Sequence, residues 1–273
     1  MLRTSGLTKR FGGLTAVDEV DFELGEDELC SLIGPNGAGK TTFFNLLTGV
    51  LSPSSGSVEL RDADSAEWRP LTGADPHEIA SMGVHRSYQV TNVFTNSTVL
   101  ENVRVAAQAA GGDGTNFWRN AGQLDRYIEE AYDILDRVGL ADSADVPASA
   151  LSHGAKRQLE IAIALAGDPD VLLLDEPNAG VSSESVGRVV DLIEDVATDH
   201  AVLLVEHNMD IVMEVSDRVV VLNQGAVIAD DDPSAVRDDP TVQKAYLGGY
   251  DPGSAGDGSD GDTQHGSPGG EPA

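Results

Sequence analysis

Residues 34–41 read GPNGAGKT, a match to the phosphate-binding pattern G-x-x-x-x-G-K-[ST]. This run constrains the fold more than any other. It follows a short apolar stretch, ELCSLIG (28–34), and opens a helical pattern, TTFFNLLTGV (41–50). A strand must therefore deliver a tight glycine turn at its carboxyl end, and a helix must start there. Glycines let backbone N–H groups curl around phosphate oxygens. The helix N-terminus adds the positive end of its dipole. Lys40 is expected to meet the outer phosphates of a nucleotide, and the Thr41 hydroxyl to hold Mg²⁺.

The rest of the chain supplies the sheet that such a turn needs. LTAVDEVDFEL (14–24) ends in a period of two, with Val20, Phe22 and Leu24 alternating with acids. SVEL (57–60) reads as a further strand. Strands are expected at 170–174, 201–205 and 218–223, and helices at 155–167, 184–197 and 208–216. Strand alternating with helix predicts a parallel α/β sheet. From 98 to 139 the pattern turns helical, broken by the loop GGDGTNFWRNAG (111–122). Within it Leu124, Tyr127, Ile128, Ala131, Ile134, Leu135 and Val138 keep a helix period. The stretch 84–150 is expected to be an inserted helical subdomain within an ATPase domain of residues 1–249. The last 23 residues hold seven Gly, five acids and no Lys or Arg, a composition that predicts a disordered acidic tail over 250–273.

Two strand ends carry carboxylates. DVLLLDEP (170–177) is an apolar strand finishing in Asp175 and Glu176. Catalytic groups of open α/β sheets sit at the carboxyl ends of strands. Asp175 is expected to hold Mg²⁺ through its shell, and Glu176 to act as general base on an attacking water. D-E-P alone is also an ordinary turn after a core strand; the glycine loop favours the catalytic reading. AVLLVEHN (201–208) repeats the arrangement with Glu206 and His207, and His207 is placed to donate a hydrogen bond to charge developing on a phosphate. Gln89, in HRSYQ (85–89), is uninformative by itself. Phe11 belongs to a strand surface or the core unless a base stacks on it.

Charge narrows the partners. The formal net charge is −29, from 46 acidic and 17 basic residues. Such a surface repels free nucleic acid and anionic lipid, so any anion site has to be built locally. No run of 18 apolar residues exists to span a membrane. The N-terminal stretch has no apolar h-region, so no secretory signal is expected. Cys30 lies in an apolar run and is expected to be a buried small hydrophobe.

Taken in order, Phe11, the loop 34–41, Gln89, LSHGA (151–155), LLLDEP (172–177) and His207 resemble the ATP-binding-cassette (ABC) family of ATPases. The likeness spans about residues 2–249. It implies an α/β P-loop NTPase fold of ABC type: a mostly parallel core sheet, an antiparallel β subdomain and an inserted helical subdomain. It also implies site roles. Phe11 stacks on adenine, and residues from Gly34 and Pro35 through Asn36, Gly37, Ala38, Gly39, Lys40, Thr41 and Thr42 hold the ATP phosphates. Gln89 contacts Mg²⁺ and the attacking water. NAGVS (178–182) matches the loop that crosses a dimer interface, with Ser182 where many members carry Asp. In this family two cassettes pair head to tail, so Ser152 and Gly154 act on the partner's nucleotide.

LSHGA departs from the usual signature at His153 and Ala155. A γ-phosphate detector needs a short hydroxyl, a close backbone N–H and a helix N-terminus. Ser152, Gly154 and the helix expected near Ala155 supply these; the same stretch also reads as an ordinary capped helix with Ser152 as its N-cap, and both readings can hold at once. Three longer stretches (8–24, 33–50 and 206–248) are similar to ATP-binding subunits of branched-chain amino acid importers, with importers of urea and amides as the alternative. That resemblance implies permease subunits, a second ATP-binding subunit and, indirectly, an extracytoplasmic substrate-binding protein as partners, with the chain at the cytoplasmic face of the membrane. A soluble ABC ATPase acting in DNA repair or translation is disfavoured by the single cassette and the lack of a basic patch. A P-loop kinase or GTPase needs no partner-sensing signature.

Overall fold

The computed structural model describes residues 1–62, 65–87, 93–111 and 121–247. Gln89, most of the loop 111–122 and the acidic tail lie outside the described residues. The chain runs β1 (Leu2–Phe11), β2 (Leu14–Leu24), β3 (Leu29–Ile33), α1 (Lys40–Leu47), β4 (Ser55–Arg61), β5 (Trp68–Pro70), α2 (Pro76–Ser81) and β6 (Val84–Ser87). It continues through α3 (Val99–Ala110), α4 (Ala121–Arg137), α5 (His153–Leu165), β7 (Val171–Asp175), α6 (Ser183–Val196), β8 (Ala201–Val205) and α7 (Met209–Val215). The last elements are β9 (Arg218–Asn223), β10 (Ala226–Asp231), α8 (Pro233–Asp238) and α9 (Pro240–Leu247).

The strands form two sheets. One is antiparallel, in the order β2-β1-β4-β5; the other runs β10-β9-β3-β8-β7-β6. In the larger sheet every pairing is parallel except that of β10 with β9. Parallel strands covered on both faces read as continuous apolar runs, and β3, β7 and β8 are buried at every position. Successive residues of these strands face opposite cores, as the two-residue period requires. Leu173 and Leu203 pack with Phe43, Phe44 and the small sheet's Leu2 and Leu24. Leu172, Leu174, Val202 and Leu204 pack with helical residues Val103, Leu135, Leu159 and Ile193. The architecture is the expected α/β fold: a mostly parallel core sheet, an antiparallel sheet on one face, and helices α3–α5 beside the other.

Three departures from the sequence reading have local causes. Val84–Ser87, at the head of the stretch read as the helical insert, is a strand paired in parallel with β7. Its four residues, VHRS, show no apolar period. Helix α5 starts at His153, two residues before Ala155, directly after the expected N-cap Ser152, whose hydroxyl accepts from the Ala155 N–H at 3.2 Å. Strand β10 follows a two-residue turn in which Gln224 and Gly225 both have positive φ, the hairpin geometry that matches strand twist. Cys30 is fully buried, as expected, and burial pushes its thiol pKa up.

Candidate functional site

The glycine loop leaves β3 at Gly34 and enters α1 at Lys40. Two of its glycines are required by close backbone approaches. A Cβ on Gly34 (φ +150°) would sit 2.1 Å from the Leu222 carbonyl oxygen, and one on Gly39 (φ +111°) 2.3 Å from that of Ala16. Only glycine combines positive φ with that lack of space. Helix α1 has no side-chain N-cap. It is held by its buried Phe43, Phe44 and Leu47, and Phe43 meets Phe22 edge-on at 5.6 Å. Each buried phenylalanine stabilises by about 1.5–3 kcal/mol. The helix N-terminal N–H groups are thus left for a ligand.

A cleft of about 660 Å³ opens beside this turn. Asn36, Gly37, Ala38, Gly39, Lys40, Thr41 and Thr42 form one side; Phe11, Leu14, Thr15 and Ala16 of the small sheet form another; Glu176, His207 and Gln224 close it. Phe11 is half-exposed at the end of β1, with the Lys9 ammonium 5.2 Å from its ring centroid. The two sheets are tied at the cleft: the Gly225 N–H donates to the Ala38 carbonyl and the Asp18 N–H to that of Gly225, both at 2.9 Å.

Lys40 is buried, and its ammonium donates to the carbonyls of Gly34 (2.6 Å) and Pro35 (3.3 Å). Burial holds its pKa below the ordinary lysine value, while the nearby charges of Glu176 and Asp175 pull it back up. Glu176 follows β7 with φ at 50°, in the left-handed region that non-glycine residues seldom occupy. Such strain persists where surrounding contacts fix it. Here the Glu176 N–H donates to the Val205 carbonyl at 2.8 Å. The kink turns the side chain off the strand direction, and Glu176 Oε1 lies 2.6 Å from His207 Nε2. The two strand ends therefore meet in one contact inside the cleft.

Asp175 is buried and its Oδ2 accepts from Arg86 Nη2 at 2.5 Å. Glu206 is buried and braces the loop after β7, accepting from the Asn178 N–H and side-chain amide (3.1 Å each) and from the His207 N–H (3.0 Å). Neither Arg86 nor Glu206 was assigned a role from sequence. The Glu-His pair at a strand end was the available signal for Glu206; for Arg86 there was none. Among the described residues no cluster of three His, Cys, Asp or Glu could hold a metal by itself. The oxygens of Thr41 and Asp175 are hard donors. They suit Mg²⁺, which takes one or two protein oxygens together with substrate phosphates.

Of the sequence-predicted residues, the structure gathers Phe11, Asn36 to Thr42, Glu176 and His207 around one cleft. Gly34, Pro35 and Asp175 reach it through their contacts with, or charge on, Lys40. Gln89 lies outside the described residues. Ser152 and Gly154 do not line the cleft; they begin α5, where Ser152 is exposed and Gly154 buried against Ser185.

A glycine loop between a parallel strand and a helix, with carboxylates at the end of another parallel strand one place removed in the sheet, defines a P-loop nucleotidase. Comparison with known proteins narrows the class. Residues 17–179 match the ABC transporter family, and residues 226–252 match the branched-chain amino acid ATP-binding cassette transporter family. The chain is 41% identical over 257 residues to the high-affinity branched-chain amino acid transport ATP-binding protein LivG of Escherichia coli (strain K12), covering 91% of this chain and 98% of that protein. It is 42% identical to the corresponding protein BraF of Pseudomonas aeruginosa, with the same coverage. A crystal structure of the ADP conformation of an ABC transporter cassette superposes with a TM-score of 0.77 at 28% identity, covering 91% of this chain and 98% of that one. The chain belongs to the ABC transporter family and is an ATP-binding, ATP-hydrolysing cassette.

Proposed function

We propose that the chain is the ATPase subunit of an importer for branched-chain amino acids, and that the cleft between the two sheets is half of its ATP site. The observation that carries the catalytic assignment is the 2.6 Å contact of Glu176 with His207 in the cleft that Lys40 enters. The import assignment is supported by the 41–42% identity to the branched-chain amino acid transport proteins and by the match over 226–252.

On this reading the half-exposed Phe11 ring stacks on adenine. The backbone N–H groups of Asn36 to Thr42 and the start of α1 bind the phosphates. Lys40 exchanges the carbonyls of Gly34 and Pro35 for β- and γ-phosphate oxygens. Thr41, Asp175 and Gln89 would hold Mg²⁺, which would supply charge neutralisation on those oxygens. Glu176 takes the proton of the attacking water as its oxygen bonds to the γ-phosphorus, and the bond from that phosphorus to the bridging oxygen breaks, releasing ADP. His207 donates from Nε2 to the Glu176 carboxylate, which orients it, and can turn the same donor to the γ-phosphate.

Ser152 and Gly154 serve the nucleotide of a second cassette, in keeping with their absence from the lining of this chain's own cleft. No helix among the described residues is long and apolar enough to cross a membrane. Permease subunits therefore provide the path, and the chain works on the inner face of the membrane with a second ATP-binding subunit and an extracytoplasmic substrate-binding protein. Uptake of labelled leucine tests the assignment. Cells lacking the subunit should lose high-affinity uptake and regain it with the intact chain, but not with Lys40→Ala. Uptake unchanged by the loss would contradict it.

A further inference from the structure

We propose that Arg86 is a positioning residue for Asp175, and that its resident positive charge sets how much Mg²⁺ the site requires. Arg86 and Asp175 stand on adjacent parallel strands, where β6–β7 register places Arg86 beside Leu173. The guanidinium reaches forward along the sheet to Asp175 Oδ2 at 2.5 Å. Its other arm donates to Asn45 Oδ1 at 2.7 Å, and its centre lies 5.3 Å from the Phe44 ring centroid. Asn45 and Phe44 belong to α1, the helix whose start carries Lys40. One cation thus spans the end of β7 and the phosphate-binding helix. Both side chains of the ion pair are 6% exposed.

A pair so buried adds little net stability, because desolvation offsets the attraction. Its consequence is geometric and electrostatic. Arginine presents donors in a planar fork, so it can hold Asn45 and Asp175 together; a lysine ammonium offers the same charge at a single point. With Oδ2 held, the direction of the second oxygen is fixed. A positive charge already beside the carboxylate also weakens its pull on another cation, and solvent screens that effect little in a buried site. Arg86 therefore orders Asp175 while reducing its affinity for the metal.

This inference rests on reading Asp175 as a carboxylate on the Mg²⁺ side of the site. The test is the Mg²⁺ concentration that half-restores binding of a fluorescent ATP analogue to the full chain. Arg86→Gln, which keeps hydrogen-bonding ability and loses the charge, should lower that midpoint by about tenfold. Arg86→Lys, which keeps the charge, should leave it within about twofold. An unchanged or raised midpoint in Arg86→Gln, or equal shifts in both variants, would overturn the inference alone. Analogue binding indifferent to Mg²⁺ in the unaltered chain would overturn the reading of Asp175 as well. Thermal melting gives a second measure. Asp175→Asn should melt lower than the unaltered chain, since it removes the carboxylate charge beside the buried guanidinium, and Arg86→Gln added to it should recover most of the loss. A melting point at or above the unaltered one would mean that Asp175 is not paired in this way.

Discussion

Glu176, the general base we propose, sits in an unusual backbone position, and its environment explains why. A strand that ran straight on would point the residue after Asp175 along the sheet edge. The left-handed turn at φ 50° directs it instead to His207. The sequence marked Glu176 and His207 separately, each by its place after an apolar run. It could not show that they touch, because the contact depends on β7 and β8 being neighbours. Arg86 was hidden for the same reason: its partners Asp175 and Asn45 are 89 and 41 residues away along the chain. His85, next to it, makes a separate prediction. Burial holds its imidazole pKa below the ordinary histidine value, against the carbonyls of Ala80 and Ala164. Below about pH 6.5 the unfolded chain therefore binds a proton that the folded chain refuses, so stability falls as pH drops from that value toward the folded pKa. The melting temperature should fall more between about pH 7 and about pH 5.5 in the unaltered chain than in His85→Asn. Equal falls would show that His85 is not the group responsible.

Among the elements, those built from local signals were legible and those built by neighbours were not. Strands β3, β7 and β8 are apolar throughout and declare themselves as buried parallel strands. Strand β6 borrows its structure from β7, and its sequence carries a His that reaches the Ala80 carbonyl and an Arg that reaches both Asp175 of β7 and Asn45 of α1. At the start of helix α5, Ser152 joins an observed role as a cap to the proposed one toward a second cassette's nucleotide. Ser152 caps the helix by accepting from the Ala155 N–H, so the substitution at Ala155 leaves the backbone contact intact. His153 is an exposed first residue of the helix and has no special backbone to satisfy. Ser152→Ala should cost about 1 kcal/mol of stability from the lost cap. It should spare ATP binding to the single chain and impair ATP-driven pairing of chains, read by light scattering with and without ATP. Pairing at the unaltered level would show that Ser152 is a cap and nothing more.

At the scale of the whole molecule, an acidic chain has to bind a polyanion. With a net charge of −29 the long-range field opposes ATP. The cleft meets this locally with the Lys40 ammonium, turned backbone N–H groups and a helix start, while Arg86 pairs with the buried Asp175 carboxylate. Two sheets, joined through Ala38, Gly225 and Asp18, bring Phe11 and the phosphate loop to the same opening. On the proposed mechanism this opening hydrolyses ATP with Glu176 as the base. The most direct test is single-turnover conversion of labelled ATP to ADP by Glu176→Gln. The variant should keep ATP affinity close to that of the unaltered chain and convert ATP more slowly by about 10²-fold or more. Conversion at the unaltered rate would contradict that mechanism.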